Sequence, residues 1–272
     1  MFTNNAFASA AQSLPAGFLK WFLVVMFLAV VLGTLFEVVH KGSARYFFAN
    51  MRRSKAKGAQ VGRGELVSIA VQTAVVDVLA SGEFCNARRR IAHLLGMYGF
   101  VLYLVATAMM VFAYPASAQA GIWPMLWWIG GLMVLLGGYW FWFFIRVDVA
   151  AEGHSPLRLV RADLFILSML ASTTLGLAWA ATGGGVGPLF WLYLLATAVL
   201  FGSVPWSKFA HMFFKPAAAF EKRVSRANGT AENLPTQTRD DPEQQKRHSM
   251  ELLKDAPMDM GLGIKREAPR HY

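Results

Sequence analysis

The sequence predicts an all-α protein: an integral membrane bundle of five transmembrane helices, N-terminus outside and C-terminus cytoplasmic, with an amphipathic helix in the first cytoplasmic loop and a disordered C-terminal tail. Three observations carry this. Hydrophobic residues make up 56% of the chain and charged residues 15%, with a mean hydropathy of +0.40, which is unusual for a soluble domain. Apolar runs near the length needed to cross a bilayer, about 20 residues, recur along the chain. Lysine and arginine gather in alternate connections. The formal charge of +10 is topological, because these cations stand between apolar runs instead of covering a nucleic-acid surface.

Residues 1–16 lack the basic start and cleavage site of a signal peptide. The first span covers about 17–39. From Lys41 to Arg90 the chain is strongly basic, and residues 65–81 inside it are apolar but interrupted by Glu65, Gln72 and Asp77, which fits an interfacial or buried amphipathic helix. Spans two and three cover about 91–114 and 122–145, joined by the uncharged segment 115–121. A charged loop leads to span four, about 162–181, and a glycine-rich uncharged link leads to span five, about 188–214, which Lys215-Pro216 ends. Residues 1–215 form the membrane domain. Cationic loops stay cytoplasmic, which sets the orientation. The tail, 216–272, mixes charges with prolines and reads as disordered. Its segments Ser249–Leu253 and Met258–Ile264 read either as a docking peptide for a soluble partner or as solvated chain.

The single cysteine, Cys85, excludes an intrachain disulfide, a CxxC pair, a c-type heme attachment and a cysteine-ligated iron–sulfur cluster. Its reading is a bystander or a thiol activated by Arg88. Of the six histidines, His40, His93, His154 and His211 fall near the cytoplasmic face. His93 and His211 lie within spans. By helical rise they stand roughly 5 Å past Arg90 and roughly 6 Å before Lys215, at matched depth on different helices. That is the requirement of one bis-histidine heme b, with His93 and His211 as metal ligands and Arg89, Arg90 and Lys208 as partners for its propionates. The competing reading is that each histidine is packed and hydrogen-bonded only. Gly96 and Gly99 suit close approach of a macrocycle or of another helix. Asp163, beside Arg161, reads as a helix cap or ion-pair partner, or as part of a proton route for quinone chemistry.

The segment Arg89-Arg90-Ile91-Ala92-His93-Leu94-Leu95-Gly96-Met97-Tyr98-Gly99-Phe100, the stretch Pro205-Trp206-Ser207-Lys208-Phe209-Ala210-His211 before Pro216, and Asp77-Val78-Leu79 leading to Cys85-Asn86 resemble the membrane cytochrome b superfamily of the respiratory nitrate reductase gamma subunit. That superfamily includes the membrane modules of quinone-interacting oxidoreductases and the electron-transfer proteins that accompany adenylylsulfate reductase. The resemblance implies electron transfer between a soluble cytoplasmic iron–sulfur flavoenzyme, adenylylsulfate reductase-like, and membrane quinone. It also places Tyr103 and Tyr193 where two-heme members carry a second histidine pair, which implies a single inner heme. His40 or His154 stands as an alternative to one of its two ligands or as part of the site of a second group. A heme-free anchor that recruits the soluble enzyme is the alternative.

Overall fold

The structure, a computed structural model, describes residues 2–40, 43–82, 87–145, 159, 163–207, 211–231 and 234, without the side chains of Ser43, Ala44, Tyr46 and His211. The described residues form nine α-helices and no strand. They are α1 (Ala6–Ala11), α2 (Phe18–His40), α3 (Ser43–Lys57), α4 (Arg63–Gln72), α5 (Ala87–Ala108), α6 (Trp123–Trp140), α7 (Leu164–Ala181), α8 (Pro188–Gly202) and α9 (His211–Ala227). Three π-helical stretches, Thr73–Leu79, Met109–Ala113 and Phe141–Ile145, continue α4, α5 and α6.

Four helices are long and apolar enough to cross a membrane: Phe18–His40, Ala87–Ala113, Trp123–Ile145 and Leu164–Ala181. This is the architecture of a multi-pass membrane protein, because an apolar helix satisfies its own backbone bonds where water is absent. The fifth expected span, 188–214, is not one helix. Its α-helix ends at Gly202, a 3₁₀ turn covers Val204–Trp206, and a new helix opens at His211. The cause is Pro205, which has no N–H to donate and disfavours helical geometry at the residue before it. At 15 residues, α8 is about 22 Å long, shorter than the other four.

Helices α5 and α6 pair most closely, α7 and α8 form a second pair, and α2 lies outside against α8 and the 3₁₀ turn. The α5–α6 contact depends on glycine. A β-carbon at Gly99 would sit 2.7 Å from the Gly130 carbonyl oxygen, and one at Gly130 would sit 2.8 Å from that of Gly99. Small residues at such crossings let two backbones meet, which is the main source of helix association in lipid.

The two ends of the bundle differ. At one, α1 is inserted among the helix ends: Phe7, Ala8 and Ala10 are buried, and Phe7 packs edge-on against Trp127 and Trp179. Asn5 Nδ2 donates to the carbonyls of Met110 (3.3 Å) and Tyr114 (2.9 Å). These carbonyls lie in and just after the π-helical end of α5, where the α-helical ladder has been interrupted. No charged residue stands in 2–17, 115–121 or 182–187, so we call this the uncharged end.

At the basic end, α3, α4 with its π-helix, and α9 form a further layer. The helix expected over 65–81 agrees in position with α4 and its π-helix within two residues, but helix α3 was not expected. The tail also begins differently from expectation. Residues 216–227 belong to α9, with Pro216 inside the helix, and the segment stays ordered to Ala231 through polar contacts. Asn228 Nδ2 donates to Ser54 Oγ (2.8 Å), Ser54 Oγ lies 3.0 Å from Thr230 Oγ1, and the Ala59 amide donates to the Asn228 carbonyl (3.0 Å). A search for an apolar face misses a segment held this way. The proposed docking segments after residue 234 lie outside the described residues.

Candidate functional site at the basic end

Helix α5 presents two faces. Ala92, Gly99, Phe100, Tyr103, Ala106 and Thr107 are buried and recur at helical spacing toward the bundle. His93 stands on the other side and is exposed. Its Nδ1 lies 3.0 Å from Ser81 Oγ. Ser81 is buried and has φ +48°, a left-handed conformation that costs a residue with a β-carbon about 1–2 kcal/mol. The turn is closed by the Gly82 amide donating to the Val76 carbonyl at 2.7 Å, so Ser81 is positioned by the end of the π-helix. With Nδ1 engaged by the hydroxyl, Nε2 is the nitrogen through which His93 would ligate a metal, since an outer hydrogen bond commonly fixes the ring of a ligating histidine.

Gly96 and Gly99 separate in role. Both backbones are approached by α6, at Gly130 for Gly99 and at Gly137 for Gly96, but a β-carbon at Gly96 itself would meet nothing within 4 Å. The surface one turn beyond His93 is therefore open, as a flat macrocycle lying on this helix would require. Arg88 and Arg90 are exposed and Arg89 is half-buried. Arg90 Nε donates to the Ala80 carbonyl at 2.8 Å, so Arg90 braces the Ala80–Ser81 turn as well as carrying charge.

His211 opens α9 instead of lying within a fifth span. The expectation of matched depth rested on one continuous helix and no longer follows from helical rise. Its side chain, with Lys208, Cys85, His154 and Arg161, lies outside the described residues. His40 ends α2, its ring stacked on Phe36 at 5.2 Å. Asp163 is buried at the position preceding α7 but makes no side-chain cap bond. Among the described residues no three His, Cys, Asp or Glu side chains converge as a metal site.

Farther along the bundle, the Tyr103 and Tyr193 hydroxyls lie 3.5 Å apart. Tyr103 stacks on Trp127 and Tyr193 on Trp179. These positions on α5 and α8 do face each other, and their side chains fill the space between the helices. Beside them a cavity of about 30 Å³ is lined by Thr107, Ser172 and Thr197 together with apolar residues of α2, room for roughly two waters.

An ion pair ties helix α9 to the layer, beside the contact of Ser225 Oγ with Ser54 Oγ at 3.3 Å. Arg223 Nε and Nη2 donate to Asp77 Oδ2 (2.7 Å) and Oδ1 (3.0 Å), and Nη1 donates to Gln72 Oε1 (3.2 Å). The Arg223 hydrogen bonds hold the Asp77 carboxyl below its ordinary value of 3.8, against the opposing effect of burial. Sequence reasoning missed this pair, as well as Ser81 and Asn5. Arg223, Ser81 and Asn5 belong to no motif, Asp77 stands in the Asp77-Val78-Leu79 stretch that does not reveal its partner, and each finds that partner through the fold.

Fold and site together define a multi-pass helical membrane protein with a histidine held at its basic end. No protein family, characterised protein or solved structure matches the chain.

Proposed function

We propose that the chain is a membrane electron-transfer protein that carries electrons between a soluble cytoplasmic iron–sulfur flavoenzyme, adenylylsulfate reductase-like, and the quinone pool. It does so in the cell inner membrane, with five crossings, the uncharged end outside and the basic end in the cytoplasm. The segregation of cations to one end supports the orientation. The α8 helix with its 3₁₀ turn makes the fifth crossing.

The observation that carries the redox reading is His93 held at Nδ1 by Ser81 beside the open surface at Gly96. His93 and His211 would hold the iron of one heme b, and Arg89, Arg90 and Lys208 would pair with its propionates. A heme bound there would supply a one-electron centre. Ser81 fixes the His93 ring, and Arg90 steadies the turn that carries Ser81. The exposed cations of α3, Arg52, Arg53, Lys55 and Lys57, would attract and orient an acidic redox partner.

That same basic surface favours a second reading, a heme-free anchor recruiting the soluble enzyme. An absorbance spectrum of the purified, dithionite-reduced protein separates the two. The redox reading expects b-type bands that His93→Ala and His211→Ala abolish, and a colourless wild-type protein would overturn it.

A further inference from the structure

Residues 63–79 present an apolar stripe outward, with Glu65, Ser68 and Gln72 exposed beside it, where a helix lying in a water-exposed loop would turn such a stripe inward. Toward the protein they turn Ile69, Thr73 and Asp77. Ile69 and Thr73 are buried, the Thr73 hydroxyl donates to the Ile69 carbonyl at 2.8 Å, and Asp77 takes the Arg223 guanidinium. Outward they turn Val67, Val71, Val75 and Leu79, spaced four residues apart and each 51–63% exposed. A surface helix in water puts its apolar stripe inward and its polar residues outward.

Three contacts fix the depth of this helix against α5. Tyr98 Oη donates to the Leu79 carbonyl at 2.7 Å, Arg90 Nε donates to the Ala80 carbonyl, and His93 meets Ser81. Arg90 to Tyr98 covers about 12 Å along the helix axis. The π-helix therefore ends beside the first turns of an apolar span, next to Ile91, Tyr98 and Val101, which are themselves exposed on the outside of the bundle. The valine stripe continues that surface. Exposed cations flank it, Arg63 at its start and Arg88 and Arg90 beyond its end.

We infer that Arg63–Leu79 is seated in one leaflet of the bilayer, with Val67, Val71, Val75 and Leu79 on the acyl chains and Arg63 and Arg88 at the phosphates of anionic lipids. Interfacial helices bury their apolar face about 5–10 Å below the headgroup boundary, and anionic headgroups draw flanking arginines. The Asp77–Arg223 pair then ties α9 to a lipid-embedded helix. The inference is independent of heme and holds equally for an anchor.

The test uses the full chain in phosphatidylcholine nanodiscs with and without phosphatidylglycerol. On a Cys85→Ser background, spin labels are placed at Val71→Cys, Val75→Cys and, on α3, Arg53→Cys. The expected result is oxygen-dominated relaxation at 71 and 75, nickel-chelate-dominated relaxation at 53, and deeper immersion of 71 and 75 when phosphatidylglycerol is present. Chelate access at 71 and 75 equal to that at 53 would overturn the inference in favour of a soluble partner, and spin–spin broadening would overturn it in favour of a second copy. Unchanged depth without phosphatidylglycerol would overturn the anionic-lipid part. An independent variant, Val67→Cys, should react with a membrane-impermeant maleimide several-fold more slowly than Arg53→Cys, and equal rates would also overturn it.

Discussion

At the uncharged end, residues 5–11 are locked among Trp127, Trp179 and Tyr193, with one asparagine supplying donors to the carbonyls of Met110 and Tyr114. At the basic end, α3, α4 and α9 are joined by Ser54, Thr230 and Asn228 and by the Asp77–Arg223 pair. The first region gains its order from large rings packed where water is excluded, and the second from polar groups that satisfy one another at the water boundary. Disturbance of the first should spread through the bundle, and disturbance of the second should stay local, because its polar layer lies beside the bundle instead of within it.

Substitution at a ring probes that contrast most strongly. Trp127→Ala removes the centre of the aromatic cluster and its hydrogen bond to Thr107 (2.9 Å), and should cost about 3–5 kcal/mol, read as a lowered thermal midpoint of the whole protein in detergent. Asn5→Ala leaves two carbonyls without their donor and should cost about 1–3 kcal/mol, with faster proteolysis of residues 2–14 and an unchanged basic end. If it loosened both ends equally, the contrast would fail.

Asp77→Asn should cost about 1–2 kcal/mol and release α9 to proteolysis while the bundle's own melting holds. Because the folded carboxyl titrates below 3.8, the pair's contribution is complete above that pH and is lost as pH falls through the lower folded value. The gap between wild type and Asp77→Asn should therefore be constant at neutral pH and close in acid. Ser81→Ala should change stability least, and under the redox reading it should weaken heme retention by about 10-fold, measured by heme transfer to an apo acceptor protein.

Much of the helical framework was legible in the sequence. Spans one to four were located to within about four residues, because the length of an apolar run is itself the physical requirement. The fifth apolar run, 188–214, is not one helix: it breaks at Pro205, where an unbroken apolar pattern concealed a backbone that cannot continue as helix. Which face of each helix meets its neighbours was not legible, because lipid and protein interior accept the same side chains. His93 shows the limit: its type and depth marked it as a candidate, but its outward direction and its bond to Ser81 depend on where the π-helix ends. Helix α9 went unread past Lys215 because it is held by Arg223 and Asn228, residues that look like those of any solvated tail.

The N-terminal plug also sets an order of events. Phe7 must wait for Trp179, about 170 residues later in the chain, and at 5–20 residues synthesised per second that delay is roughly 9–34 s. A segment made early is thus among the last to find its place, and its docking closes long-range contacts, Phe7 with Trp179 and Tyr193, the slowest kind to form.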